Sequence, residues 1–323
     1  MIAVRAAAVE RARSFGALGI GLVAALVVEL AFFTSQSEFF LTEPNLVNIG
    51  RAMAIVGIVA AGETIVMISG GFDLSVGSTM AAAGMVLAYG LQEGWPLAVA
   101  GVAGLLIGGA IGVANGTIVS YLRINPLIAT LATLGIVRGL AFVVSDGEEI
   151  IVHDRDFLDL GTAEVWKIPL IVLIMLGAFI VLGLVMPRSR FGRYVYAIGS
   201  NARASRLAGV RIHRYRIAFY VVCGVLAALA GMVAVARVGS AQPTANLGAE
   251  LDVITAVILG GTSLNGGRGR LFGTFLGLLL IAVLNNGLIL MDVQSYWQQV
   301  VKGGVLLLAV FWDELRRTRR DEY

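Results

Sequence analysis

The most basic stretch of this chain is Pro187-Arg-Ser-Arg-Phe-Gly-Arg-Tyr-Val-Tyr-Ala-Ile-Gly-Ser-Asn-Ala-Arg-Ala-Ser-Arg-Leu-Ala-Gly-Val-Arg-Ile-His-Arg-Tyr-Arg216. It holds eight arginines and no acidic residue, although the whole chain has a net charge of only +3. Long apolar runs flank it. A block this basic between two membrane spans is retained on the cytoplasmic side, because cytoplasmic loops carry an excess of Lys and Arg. This arginine segment, residues 187–216, is therefore predicted to set the topology and to face a cytoplasmic partner.

Composition predicts a polytopic membrane protein. Hydrophobic residues make up 58% of the chain and charged residues 14%, whereas soluble domains are near half apolar and a quarter charged. The 41 glycines are interpreted as close helix packing, since small residues let membrane helices approach. The single cysteine, Cys223, excludes an internal disulfide and a cysteine-based metal site. We expect no cofactor, no metal centre and no nucleic-acid partner, because the basic residues lie in loops and report orientation.

Ten apolar stretches predict an all-α fold with ten transmembrane helices, both termini cytoplasmic, in one membrane domain covering residues 1–323. The stretches are 16–34, 46–69, 74–91, 97–119, 126–145, 168–186, 217–236, 251–264, 271–291 and 296–312. The eighth is shorter than the roughly 20 residues that a span needs, so we expect it to be tilted, partly re-entrant or begun earlier. The first is interpreted as an uncleaved span, because no small-x-small cleavage site follows it.

The loop at residues 146–167 has the opposite charge. It contains seven acidic residues against Arg155 and Lys167, and the sixth span separates it from the arginine segment. We expect this acidic loop to lie outside the cytoplasm. Two glycine-rich segments, 70–77 and 260–267, also resemble each other, and each joins an inward span to an outward one. They raise the hypothesis of two related halves, as in many transport folds.

Polar residues within the predicted spans are candidates for a translocation pathway or gate, because a charge there costs roughly 2.5–3.5 kcal/mol on insertion scales and needs a partner or a wet cavity. The candidates are Glu63, Asp73, Ser75, Asn115, Asn125, Arg138 and Asn286. A Glu63–Arg138 pair is disfavoured, since their predicted depths are about 10 and about 18 Å from the inner face. Asp73 or Ser75 is expected to cap the helix after Gly70-Gly71, to line the pathway, or to do both.

The arginine segment has the pattern of a short helix. Ser200 or Asn201 can cap it, residues 202–208 favour a helix, and Gly209 lies where a C′ glycine belongs. Such a helix suits docking into a groove of another protein. The coupling candidates are Asn201, Arg203, Ala204, Ser205, Arg206, Leu207, Ala208 and Gly209. The alternative is a solvated basic loop that only sets topology.

Several motifs together resemble one family. Gly70-Gly-Phe-Asp-Leu-Ser-Val-Gly-Ser78 is similar to the Gly-Gly-Ile-Asp-Leu-Ser-Val-Gly-Ser signature of the permease subunits of ribose/xylose/arabinose-type ATP-binding cassette (ABC) importers. Further matches follow in the family's order over almost the whole chain. They are Tyr121-Leu-Arg-Ile-Asn-Pro126, Thr133-Leu-Gly-Ile-Val-Arg-Gly139, Gly199-Ser-Asn-Ala-Arg-Ala-Ser-Arg-Leu-Ala-Gly209, Gly260-Gly-Thr-Ser-Leu-Asn-Gly-Gly-Arg-Gly269 and Trp297-Gln-Gln-Val-Val301.

The resemblance implies a homodimeric pore subunit in a bacterial inner membrane, with two cytoplasmic ATPases and a periplasmic or lipid-anchored sugar-binding protein. The family's Glu-Ala-Ala-x-x-x-Gly coupling motif falls on residues 203–209, where Arg203 replaces the glutamate and Ser205 the second alanine. No salt bridge of that glutamate carries over to this chain.

The expected function is import of a monosaccharide or a related polyol. The chain is not expected to be an enzyme: the Gly261–Arg268 stretch lacks the Lys-Ser/Thr of a phosphate-binding loop, so ATP hydrolysis would come from a partner. The alternative is an ion-coupled secondary transporter that uses Glu63 or Asp73. A receptor or scaffold is disfavoured, because no extramembrane domain is predicted. The sequence does not identify the sugar.

Overall fold

The computed structural model describes the backbone of residues 2–321 and the side chains of residues 19–311, 313 and 314. Within this part of the chain the elements, in order, are α1 (Ile2–Gln36), α2 (Glu43–Ile68), α3 (Val76–Gln92), α4 (Leu97–Ser120), α5 (Pro126–Ser145), β1 (Ile150–Ile151), α6 (Arg155–Thr162), β2 (Glu164–Val165), β3 (Ile168–Pro169), α7 (Leu170–Arg188), α8 (Arg190–Ser200), α9 (Ala202–Leu207), α10 (Ile212–Val238), β4 (Ser240–Ala241), α11 (Ala249–Leu259), α12 (Leu271–Leu290) and α13 (Ser295–Asp321).

Each of the ten predicted stretches overlaps a helix, although the helix at the eighth, 251–264, ends at Leu259 and leaves the last five residues of that stretch outside. By length and composition, seven of these helices in the described chain can cross a membrane, namely α1, α2, α4, α5, α7, α10 and α12. Helix α11 has only 11 residues, about 16 Å at 1.5 Å per residue, so the expectation that this segment is short is confirmed. The polytopic class is therefore established, whereas a count of ten crossings remains a prediction.

Helices α2 and α10 form the centre of the molecule. Every residue of α2 from Gly57 to Ile68 is buried, and α10 packs against α2, α3 and α4. A helix that is apolar on all sides belongs in such a position, because no face of it gains from contact with water.

A stripe of glycines holds α4 against α10. Gly104, Gly108, Gly112 and Gly116 recur every four residues and are buried. A Cβ at Gly108 would overlap the carbonyl oxygen of Gly224 on α10. Only glycine permits this backbone approach, which confirms that these glycines serve helix packing.

The acidic loop is folded, and it contributes short strands that the sequence did not predict to a predominantly helical chain. Strand β1 pairs antiparallel with β4, and β2 forms a hairpin with β3. The hairpin turns at Trp166 and Lys167, both with positive φ, as a two-residue turn that matches strand twist requires. Asp154 caps α6 by accepting a hydrogen bond from the Phe157 N–H. The loop thereby covers the end of α10, where α6 packs.

The arginine segment contains more helix than predicted. Its first two residues belong to α7 and its last five to α10, so the predicted spans 168–186 and 217–236 have incorrect ends. Helix α8 was not predicted. Ser189 begins it by accepting a hydrogen bond from the Gly192 N–H at 3.0 Å, and charge density alone does not reveal such a cap.

The two glycine-rich turns have the same backbone geometry. After α2, the Gly71 N–H bonds the Val66 carbonyl and the Gly70 N–H bonds the Met67 carbonyl, both at 3.0 Å. After α11, the equivalent bonds run from Thr262 to Val257 at 3.2 Å and from Gly261 to Ile258 at 2.8 Å. Both are Schellman motifs with a positive-φ glycine at C′. The structural equivalents are therefore Gly70 and Gly261, one residue away from the alignment of the two sequence segments.

Candidate translocation and coupling sites

A buried polar cluster occupies the break between α2 and α3. Asp73 Oδ1 accepts hydrogen bonds from the Ser75 hydroxyl at 2.5 Å and the Ser75 N–H at 2.9 Å. Asn115 Nδ2 of α4 donates to Ser75 Oγ at 2.8 Å and to Asp73 Oδ1 at 3.2 Å. Glu63 Oε1 accepts from the Asp73 N–H at 3.1 Å. Four of the predicted pathway residues thus meet in one site, each at most 1% exposed.

Helix α10 and helix α5 complete this polar cluster with residues that were not predicted. Cys223 Sγ lies 3.4 Å from Glu63 Oε2, and the Tyr220 hydroxyl donates to the Phe72 carbonyl at 3.0 Å. Thr130 Oγ1 accepts from the Leu74 N–H at 3.1 Å. The spacing of Tyr220 and Cys223 puts both on one face of a helix, but the sequence gives no sign that this face meets the break.

The capping prediction needs a correction. Ser75 occupies the N-cap position of α3, but its side chain makes no capping hydrogen bond. Asp73 does not cap the helix either, because it accepts from the Ser75 N–H two residues ahead in an Asx turn. The Asp73 carboxylate therefore fixes the non-helical break, and α3 begins after it.

The other three predicted pathway residues lie apart from the polar cluster. Arg138 donates to the carbonyls of Pro243 and Ala245 at 2.6 and 2.7 Å, so it does not pair with Glu63, as the depth argument predicted. Asn125 caps α5 through the Leu127 N–H.

Asn286 lines a separate cavity of about 340 Å³ between α2, α10, α11 and α12. It exchanges two amide hydrogen bonds with Asn45, at 2.8 and 2.9 Å. Arg237 and Asp252 also line this cavity, and Asp252 forms an ion pair with Lys302 at 2.8 Å. The volume is in the range of small-molecule sites, and the amides offer both donors and acceptors.

Helix α9 is the short helix predicted in the arginine segment. Asn201 caps it by accepting a hydrogen bond from the Ala204 N–H at 2.9 Å, and Gly209 follows with φ +82°. Leu207 is 84% exposed. Ser205 instead points inward, and its hydroxyl bonds the Asn201 carbonyl. The remaining predicted coupling residues, Arg203, Ala204, Arg206 and Ala208, are exposed.

The end of α8 lies between the two glycine-rich turns. A Cβ at Gly199 would overlap the carbonyl oxygen of Ile68, at the first turn, and would lie 2.7 Å from the Gly267 nitrogen. The Gly267 N–H itself donates to the Ile68 carbonyl at 2.7 Å. Backbone contacts therefore join α8, and α9 directly after it, to the end of α2 and to the glycine-rich segment that follows α11.

Tyr196 adds a side-chain contact at the same place. Its hydroxyl donates to the Gly269 carbonyl at 3.0 Å. Burial raises the pKa of this hydroxyl above its ordinary value, against the smaller opposing effect of Arg270. The phenol therefore stays protonated as a donor, and it holds α8 to the segment before α12.

Comparisons with known proteins agree with this architecture. A family model described as "Branched-chain amino acid transport system / permease component" matches residues 45–310. The ribose import permease protein RbsC of Escherichia coli K12 is 42% identical over 299 residues, covering 91% of this chain and 92% of that protein. The Bacillus subtilis RbsC is 42% identical over 276 residues, covering 85% and 86%. The D-allose transport system permease protein AlsC of E. coli K12 is 38% identical over 292 residues, covering 90% of each.

No solved structure matches this chain. The family model nevertheless covers α3 to α12 completely, and with them the polar cluster and α9. The chain therefore belongs to the family of branched-chain amino acid transport system permease components.

Proposed function

We propose that this chain is the membrane-spanning subunit of an ABC importer that carries a monosaccharide or a related polyol into the cytoplasm. The observation that carries the proposal is the near full-length similarity to permeases named for ribose and allose. A sugar rather than an amino acid is favoured, although the family description mentions amino acids, because the similar permeases are named for sugars.

The proposed partners are a second copy of the chain, a cytoplasmic ATPase that binds each copy, and an external sugar-binding protein. The chain would act in the bacterial cytoplasmic membrane with both termini and the arginine segment inside and the acidic loop outside. The opposite charges of these two segments support this orientation.

Helix α9 is the proposed point of coupling. The exposed Leu207 offers an apolar anchor, and the contacts of Gly199 connect its base to both glycine-rich turns. A force that the ATPase applies to α9 would therefore be transmitted to the end of α2 and to the segment that follows α11. The first turn leads directly into the Asp73 break, so movement of α8 would change the packing of the polar cluster. We assign this cluster to gating and the asparagine-lined cavity to passage of the sugar.

The alternative is an ion-coupled transporter that uses Glu63 or Asp73. Two carboxylates in one buried site favour this alternative, but an ion-coupled transporter would not need a coupling helix such as α9. The test is sugar uptake into liposomes that contain this chain, with its ATPase and binding protein supplied, and ribose as the probe. We expect uptake to require ATP and to survive an uncoupler. Uptake without the ATPase that collapses with the uncoupler would refute the importer.

A further inference from the structure

A second cavity lies beside α9, where α4 ends and α5 and α10 begin. Its volume is about 300 Å³, and Arg123, Arg206, Arg216 and His213 line it. Asp and Glu are absent from its lining within the described chain. None of the three guanidinium groups forms a salt bridge with a carboxylate in the side chains that the structure describes. Three cations around one cavity repel each other, so the site as it stands favours an anion.

Two polar atoms in the cavity wall lack a partner. Ser120 is 2% exposed, and its hydroxyl oxygen is buried without a hydrogen bond in the described structure. The same is true of His213 Nδ1, whose ring stacks on Tyr121 with centroids 4.7 Å apart. A buried hydroxyl without a partner is unfavourable, so a ligand that accepts a hydrogen bond from it would be stabilised here.

We propose that this cavity binds a phosphate group. Guanidinium forks match the oxygens of a phosphate, and a hydroxyl donor completes such a site. The phosphate of an anionic lipid is the favoured source, because Leu122 and Ile128, which are within two residues of the lining residues Arg123 and Pro126 in sequence, are each 65% exposed and can contact acyl chains. This proposal goes beyond sugar transport and does not depend on it.

The experiment uses the purified full-length chain in an uncharged detergent. Native mass spectrometry measures binding of phosphatidylglycerol and, separately, of phosphatidylcholine. Inorganic phosphate is added as a competitor, and its own binding is followed by thermal shift. We expect phosphatidylglycerol to bind with one preferred site. A large thermal stabilisation by inorganic phosphate, without binding of phosphatidylglycerol, would identify a soluble phosphate as the ligand. That result would equally support the site.

The test variant is Arg123→Asn with Arg216→Gln. Asparagine is chosen because Arg123 has φ +56°, a conformation that Asn tolerates. Each arginine that donates a charge-assisted hydrogen bond to the phosphate should contribute about a factor of ten in affinity, so binding should fall about 100-fold. Arg123→Asn alone, in an exposed loop, should lower it about tenfold and serves if the double variant does not fold.

The matched control is Arg188→Gln with Arg214→Gln, which removes two exposed arginines of the arginine segment that do not line the cavity. It should change binding less than twofold. An equal loss in the control would show diffuse attraction and would overturn the proposal. So would equal binding of the two lipids without protection by phosphate.

Discussion

Replacement of Leu207 tests the coupling proposal most directly. The side chain is 84% exposed in the free subunit, so Leu207→Ala removes almost no internal packing and should leave thermal stability unchanged. If α9 docks into the ATPase, the same side chain becomes buried. Burial of a leucine is worth about 1.5–3 kcal/mol, and 1.36 kcal/mol is a factor of ten in an equilibrium constant. Leu207→Ala should therefore weaken ATPase association by about tenfold or more.

Leu207→Asp should abolish this association, because it would bury an unpaired charge. The assay is co-purification of the ATPase with the membrane subunit, together with sugar-stimulated ATP hydrolysis in liposomes. Trp166→Ala provides the control, since Trp166 is 94% exposed in the acidic loop and should not affect the ATPase. Full assembly and stimulated hydrolysis with Leu207→Asp would contradict the reasoning and leave the arginine segment as a topology signal only.

Three further predictions concern packing, the polar cluster and orientation. Gly108→Ala should destabilise the chain by about 1–3 kcal/mol through overpacking, whereas the adjacent Gly109→Ala should be mild, since its Cβ would lie 3.6 Å from the nearest atom; thermal unfolding in detergent compares them. Asp73→Leu should lower the free energy of unfolding by about 1–3 kcal/mol, because the buried Ser75 N–H loses its acceptor. Asp73→Asn keeps Oδ1 and should be less destabilising. An Asn variant that is destabilised as much as the Leu variant would indicate a role for the charge. A cysteine at Glu149 should react with an impermeant reagent in intact cells and one at Ala204 should not, against the wild type with its single buried cysteine; the reverse pattern would invert the proposed topology.

Helix positions could be predicted from the sequence because long apolar runs need no tertiary information. The same holds for α9, whose Asn201 cap and Gly209 stop act within a few residues. Short-range sequence patterns did not predict the secondary structure of the charged segments. Helix α8 and the small strands of the acidic loop lie in polar segments, and β1 finds its partner β4 about 90 residues away.

The candidate site, too, was only partly predictable from the sequence. Glu63, Asp73, Ser75 and Asn115 could be selected from the sequence, since polar residues in apolar runs are conspicuous. Their assembly could not, because it depends on how α4 and α10 pack against the break. Cys223 and Tyr220 were missed, since a cysteine and a tyrosine in a membrane helix are ordinary core residues until their neighbours are known.

The membrane class, the order of the long apolar helices and the short helix α9 follow from the amino-acid sequence, because hydrophobicity, charge bias and capping act along the chain. Tertiary packing, in contrast, sets which polar residues share a site and which glycines cannot be replaced without a steric clash. It also placed Gly199 between two turns that are about 190 residues apart in sequence. The physical reason is that close packing depends on the approach of backbones from distant segments, and each residue's own neighbours in the chain carry no record of that approach.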